Sequence, residues 1–208
     1  MNKKIERRKN MISAAKRLFT EHGFENTTMQ NIADEAHVGV ATLFRYFPKK
    51  DDIIIEVVKA AIEQQFPRFQ QIKESNKRGI EKIDDVLTAY IGFISEENRE
   101  SAMLLEAFEL YIAFIPIEKN LLAEVEKAYE KIGRIISAIV REGKSDGSIK
   151  LTLSHEILSS TILNMFGTAV KKYSLYTLLP DVIVPVPKKE ELIMVKNVLL
   201  SYLQQPAK

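Results

Sequence analysis

The stretch TTMQNIADEAHVGVATLFRYFPKK, residues 27–50, decides the fold of this chain. Its first half carries apolar residues at helical spacing, namely Met29, Ile32, Ala33 and Ala36. This i, i+3, i+4, i+7 pattern predicts a helix with one buried stripe. Thr27 stands three residues before Gln30, which predicts a capping box at the start of that helix.

The second half predicts another short helix after a tight turn. The residues 37–39, His-Val-Gly, interrupt the first stripe, and glycine favours a break there. A second helical run then extends from Val40 to Phe47, with Leu43 and Phe47 on its inner face. Pro48 ends this run, because the residue before a proline is pushed out of helical geometry. The pattern is typical of a helix-turn-helix, although two such helices taken alone more often form an ordinary hairpin in an all-α core.

The side chains of the second predicted helix suit contacts with DNA. Val40, Ala41 and Thr42 are small enough to let a helix approach the major groove closely, and a threonine hydroxyl can bond a base or a phosphate. Charge and hydroxyl groups for phosphate contacts, which fix register without reading sequence, follow at Arg45, Tyr46, Lys49 and Lys50.

The run from Ile12 to Lys50 resembles the N-terminal DNA-binding domain of the TetR family of transcriptional regulators. The matching residues are Ala15, Leu18, Phe19, Gly23, Phe24, Thr27, Thr28, Ile32, Ala33, Ala36, Thr42, Leu43, Tyr46, Phe47, Pro48 and Lys50. Two residues depart from the family pattern. His37 stands where the family usually has glycine at the turn, and histidine is one of the residues enriched at positive φ. Phe44 stands where the family usually has tyrosine, so one hydroxyl for a phosphate is missing.

The resemblance implies an all-α protein of two domains. Residues 1–50 would form a three-helix DNA-binding domain, a helix at 51–71 would link it, and residues 72–208 would form a larger ligand-binding and dimerisation domain. It further implies a homodimeric repressor that binds a palindromic operator in double-stranded DNA and is released by a small hydrophobic or amphipathic ligand. The expected DNA contacts are Thr28, Val40, Ala41, Thr42, Phe44, Arg45, Tyr46 and Lys50.

Charge is distributed unevenly along the 208 residues. Residues 1–50 hold ten lysines and arginines against five acids, whereas the remainder holds 20 against 23. A basic head on an acidic body is the electrostatic pattern expected of a DNA-binding domain attached to a second domain. No run of 18 apolar residues and no apolar signal core occurs, so we expect a cytoplasmic protein without a membrane partner.

The remainder predicts helices near residues 80–96, 100–114, 118–144, 154–177 and 189–204. The last two are apolar on more than one face, and such helices need two packing partners. We therefore expect the excess face to meet a second copy of the chain, with deep burial in one subunit as the alternative. TetR-like proteins dimerise through their last two helices, and the expected interface residues here are Ile162, Phe166, Val195, Leu199 and Tyr202.

Aromatic residues of the body are candidates for lining a ligand cavity, namely Phe93, Phe108, Tyr111, Tyr129 and Phe166. Aromatic residues at helical spacing are also common in a plain core, and the sequence does not identify a ligand. An apolar lining favours hydrophobic or amphipathic compounds.

An enzyme is the rival class of function. The three histidines lack the spacing of a metal site, the chain has no cysteine, and no catalytic sequence motif is present. We therefore expect no catalytic residue, no metal and no cofactor. A third interpretation is a helical dimer with a weakened DNA-binding head that serves as a ligand-binding or interaction module, which His37 and Phe44 would favour.

Overall fold

The computed structural model describes residues 3–92, 96–176 and 189–205, and every regular element among them is helical. The predicted all-α fold class is confirmed. The helices are α1 (Lys3–Asn26), α2 (Met29–Glu35), α3 (Val40–Tyr46), α4 (Lys50–Glu63), α5 (Phe66–Glu74), α6 (Gly79–Gly92), α7 (Glu96–Phe114), α8 (Lys119–Ser145), α9 (His155–Ile162), α10 (Thr168–Tyr176) and α11 (Lys189–Leu203). A π-helical turn at Leu163–Gly167 joins α9 to α10.

The helices form two compact units. Unit 1 comprises Met1–Glu63 and Met103–Ala128, and unit 2 comprises Gln64–Ala102 and Tyr129–Lys208. Helices α7 and α8 each contribute residues to both units. These units describe packing, so the predicted functional boundaries at residues 50 and 72 stay a prediction.

The core of unit 1 is built around α1, whose buried residues are Met11, Ala14, Ala15, Phe19 and Phe24. Gly23 interrupts the regular helix with φ 78° and ψ 169°, a combination that is essentially restricted to glycine. The change of direction lets Phe24 pack on Phe19, with 4.9 Å between ring centroids.

The capping box of α2 is shifted by one residue from the predicted position. Thr28, and not Thr27, is the N-cap: its hydroxyl accepts from the Asn31 backbone N–H at 3.1 Å, and the Asn31 side chain accepts from the Thr28 N–H at 2.9 Å. Thr27 is buried, and its hydroxyl donates to the Gly23 carbonyl at 2.9 Å. That bond occupies Thr27 in the preceding turn, so the pairing predicted with Gln30 was wrong.

The single linking helix predicted at residues 51–71 is two helices, α4 and α5. Pro67 lies in the first turn of α5, where a helix needs no N–H from that residue, so the proline begins a helix instead of kinking one. The helix predicted at 154–177 is likewise divided, because the π-helical turn separates α9 from α10.

Unit 2 contains a close contact between two helix backbones. A β-carbon placed on Gly79 of α6 would stand 2.1 Å from the α-carbon of Gly143 of α8, so the two helices meet without side chains between them. Asp146 fixes this contact by accepting from the Gly79 N–H at 2.8 Å. Buried Lys82 of α6 adds an ion pair with Glu142 of α8 at 2.7 Å.

Gly23→Ala should destabilise unit 1 by about 1–2 kcal/mol, because alanine is strained at this φ although space for a β-carbon exists. Thermal and denaturant unfolding would measure the change. Gly39→Ser is the matched control, because Gly39 has an ordinary φ of −65° and equal room. Equal stability of the two variants would contradict this account of Gly23.

Candidate nucleic-acid interface

The turn between α2 and α3 is a Schellman motif centred on His37. The His37 N–H donates to the Asp34 carbonyl at 3.0 Å, and the Val38 N–H donates to the Ala33 carbonyl at 2.9 Å. His37 itself has φ 53°, the left-handed conformation that this motif requires after a helix. The turn expected from the sequence therefore forms with histidine in place of glycine.

The inner face of α3 is fixed by two buried side chains. Leu43 and Phe47 are almost completely buried, as their spacing predicted. The Arg8 guanidinium lies 5.2 Å from the centre of the Phe47 ring and pairs with Glu56 of α4 at 2.7 Å. Arg8 therefore holds α3 between α1 and α4, and this is a structural role that the sequence alone does not reveal.

The outer face of α3 is open to solvent. Ala41, Phe44 and Arg45 are exposed and share one side of the helix, while Val40, Thr42 and Tyr46 are half-buried at its edges. Phe44 leaves 45% of its surface exposed, although a phenyl ring is usually buried. The helix thus presents small and apolar groups beside a cation, which is a surface suited to the floor of a DNA groove.

Thr28 and Lys50, two further residues predicted to contact phosphates, lie near α3 in the sequence. Thr28 is exposed at the start of α2, where its hydroxyl is already bonded to Asn31. Lys50 begins α4 and donates through Nζ to the Glu25 carbonyl at 3.2 Å. Burial lowers the pKa of the Lys50 ammonium, because removing a cation from water disfavours its charged form. A phosphate beside Lys50 would offset that cost.

Lys49, the neighbouring cation, is held by Glu118. The ion pair between its Nζ and the carboxylate raises the pKa of Lys49 and lowers the pKa of Glu118. The pair joins the end of the helix-turn-helix to the segment between α7 and α8, within unit 1.

The candidate ligand residues do not form one group. Phe93 lies outside the described residues. Phe108 and Tyr111 belong to unit 1, where their rings lie 6.3 Å and 5.3 Å from that of Phe24. Tyr129 and Phe166 belong to unit 2, in which Tyr129 is exposed and Phe166 is buried with its ring 6.3 Å from that of Tyr90. Their role in ligand binding stays a prediction.

The candidate dimer residues line a single apolar groove. Ile162, Phe166, Val195, Leu199 and Tyr202 all border a cavity of about 260 Å³ between the α9 region and α11. Ile162 and Phe166 are buried within unit 2 and expose almost no surface in the single chain. The role of all five residues in dimerisation stays a prediction.

Further exposed apolar residues, which were not among the predicted interface residues, lie at the rim of this groove. Met165 is 57% and Val198 is 64% exposed, and both border the groove beside half-exposed Tyr202. Spacing on α11 could have revealed Val198, because Met194, Val198 and Tyr202 recur every four residues on one side of the helix.

Within residues 3–92, 96–176 and 189–205, no group of three histidine or acidic side chains is placed to hold a metal ion. None of the helices described is long and apolar enough to span a bilayer.

Comparison with known proteins relates the chain to regulators of transcription. Residues 11–57 match the family described as "Bacterial regulatory proteins, tetR family". The HTH-type transcriptional regulator HbdR of Aromatoleum sp. is 36% identical over 102 residues, which cover 48% of this chain and 43% of that protein. The chain thus spans less than half the length of HbdR. The HTH-type transcriptional repressor KstR2 of Mycolicibacterium smegmatis is 24% identical over 168 residues, which cover 80% of this chain and 79% of that protein.

Solved structures agree with the fold. The transcriptional regulator FadR from Bacillus subtilis, in complex with stearoyl-CoA, superposes with a TM-score of 0.70 at 20% identity. The superposition covers 96% of this chain and 98% of that chain. At this level of identity the likeness establishes the architecture of the chain and no more.

Proposed function

The chain belongs to the TetR family of bacterial transcriptional regulators, and from that premise we propose that it is a homodimeric repressor released from a palindromic operator by a small ligand. The observation that carries the proposal is the outward face of α3. The Schellman turn and the buried pair Leu43 and Phe47 hold this short helix so that Ala41, Phe44 and Arg45 point to solvent.

In the proposed complex, α3 enters the major groove. Ala41 and Phe44 would contact thymine methyl groups, since apolar side chains recognise thymine in this way. Val40 and Thr42, at the start of the helix, lie where a recognition helix meets base edges. Arg45 and Tyr46 with Thr28 and Lys50 would hold phosphates, which set the position of the helix on the duplex.

A second copy of the chain is the partner that the apolar groove suits. Exposed Met165, Val198 and Tyr202 form an apolar rim that costs free energy while it faces water, and a twofold-related copy would cover it. Such a dimer carries two recognition helices related by the same symmetry, so its operator would be a palindrome.

The proposed ligand is hydrophobic or amphipathic. The FadR structure that shares this fold holds stearoyl-CoA, a compound with a long apolar chain, which supports a ligand of this class. Release requires that the ligand bind more tightly to a conformation whose recognition helices no longer match the operator. Helices α7 and α8 each contribute residues to both units. Glu124 of α8 pairs with Lys59, and Glu118, in the segment between the two helices, pairs with Lys49. A ligand-induced shift in these helices would therefore reach α4.

The alternative function is a ligand-binding or interaction module with a weakened head. The well-formed turn at His37 removes one of its two supports. The phenyl ring at Phe44, without a hydroxyl, is the remaining one.

Selection from a random pool of duplex DNA should enrich a palindrome whose half-sites lie about one helical turn or a multiple of it apart. The logarithm of the affinity for that palindrome should fall steeply with the logarithm of the salt concentration, because each neutralised phosphate releases counterions. Failure to enrich any sequence over non-specific binding would favour the alternative module.

Replacing thymine by uracil in the selected operator should reveal the contacts of Phe44, since only the 5-methyl group is lost. We expect a loss of about 0.8 kcal/mol at the thymine that meets Phe44, the value of one buried methyl group. Phe44→Ala should abolish the effect of uracil on affinity. Lys50→Gln should weaken binding to every sequence but should still show the effect of uracil. An equal uracil effect in wild type and Phe44→Ala would remove Phe44 from base contacts.

Val198→Glu should convert the dimer to monomers, because a carboxylate at this exposed position would be buried unpaired in the interface. Sedimentation analysis would measure the mass, and the monomers should no longer bind the palindromic operator. Leu110→Glu is the control, because Leu110 is 54% exposed on α7 and does not line the groove. A Val198→Glu dimer, or a wild-type monomer, would contradict the proposed interface.

A further inference from the structure

The cations of unit 1 fall into two groups. One group forms ion pairs within the unit, and its members include Arg8 with Glu56, Arg17 with Glu35, Lys49 with Glu118, and Lys59 with Glu56 and Glu124. Lys3, Arg7 and Arg45 belong to the other group, which forms no ion pair with any residue of the described ranges. The charges of these three residues are therefore available to an external anion.

Lys3, Arg7 and Arg45 converge on one cleft. Lys3, Lys4 and Arg7 from the first two turns of α1 line it together with Arg45 and Tyr46 from the end of α3. The cleft has a volume of about 360 Å³, and none of the described residues that line it is acidic. Glu6, the acid between them in the sequence, is not part of the lining. The chemistry of this lining, four cations and a phenol, is that of an anion site.

The fold gives no reason to gather cations here. The first turn of a helix carries partial positive charge, so lysine and arginine are disfavoured at that end of α1. Mutual repulsion among Lys3, Arg7 and Arg45 adds to this cost. An anion in the cleft would relieve both effects, whereas the ion pair of Arg17 with Glu35 on the same helix needs no ligand.

We propose that this cleft binds a backbone phosphate of duplex DNA beyond the bases that α3 contacts. The proposal rests on the proposed function. Arg45 and Tyr46 end the helix whose outer face carries Ala41 and Phe44, so a duplex on that face brings its backbone past the cleft. Arginine and the phenol then donate hydrogen bonds to phosphate oxygens, and α1 adds charge from a second helix. Helix α1 thereby lengthens the stretch of DNA that the protein holds, without reading its sequence.

Arg7→Gln tests the cleft, with Arg17→Gln as the matched control. Each change removes one positive charge from an exposed arginine of α1, but only Arg7 lines the cleft. The affinity for the selected operator should be measured over a range of salt concentrations. In a plot of log affinity against log salt concentration, the slope for Arg7→Gln should be smaller than that of wild type by about one for each DNA-binding domain bound, whereas Arg17→Gln should keep the wild-type slope. Equal slopes for the two variants would overturn the proposal that the cleft binds a DNA phosphate, but would not contradict the proposed function.

Shortening the DNA flanks gives a second measurement on the same proteins. Wild type should lose affinity when the base pairs outside the half-sites are removed, and Arg7→Gln should lose much less. Thermal unfolding at the wild-type temperature would show that both variants are folded. A wild-type protein that binds no duplex would overturn both the cleft and the proposed function. Equal affinity for an RNA duplex of the same length would overturn the assignment to DNA.

Discussion

A helix of seven residues is not stable alone in water, so α3 depends on the surfaces against which it packs. Leu43 and Phe47 provide that packing on the inner side, and the Arg8 guanidinium covers the Phe47 ring while it pairs with Glu56. One aromatic ring therefore connects α1, α3 and α4. Because packing of the inner face fixes the position of α3, its outer face can carry small and apolar residues that contribute little to stability.

Local patterns in the sequence were sufficient to predict most of the helices and the helix-turn-helix. The apolar stripe of α2, the spacing of Leu43 and Phe47 and the stop at Pro48 act over a few residues, so they can be read without the fold. The conformation of His37 was also accessible, since few residues other than glycine tolerate that φ.

The sequence predictions failed where a local pattern allows two structures, or where residues distant in the sequence determine the structure. Thr27 and Thr28 are both good caps, and the burial of Thr27 against the end of α1 selects Thr28. Pro67 could end one helix or begin the next, and the break after Glu63 selects the second. The partners Glu56, Glu118 and Glu124 lie 48 to 69 residues from some of the cations they hold, and no periodicity reveals such pairs. In the same way, packing between distant residues determines which dimer candidates are buried in the groove and which are exposed at its rim.

The contact of Gly79 with Gly143 has a mechanical consequence. Most helices touch through side chains, which can change rotamer and absorb a small displacement. Here two backbones meet directly, and the hydrogen bond from Gly79 to Asp146 adds a second fixed point. Helices α6 and α8 must therefore move as one stiff lever at this end, and any adjustment between them has to occur farther along their lengths.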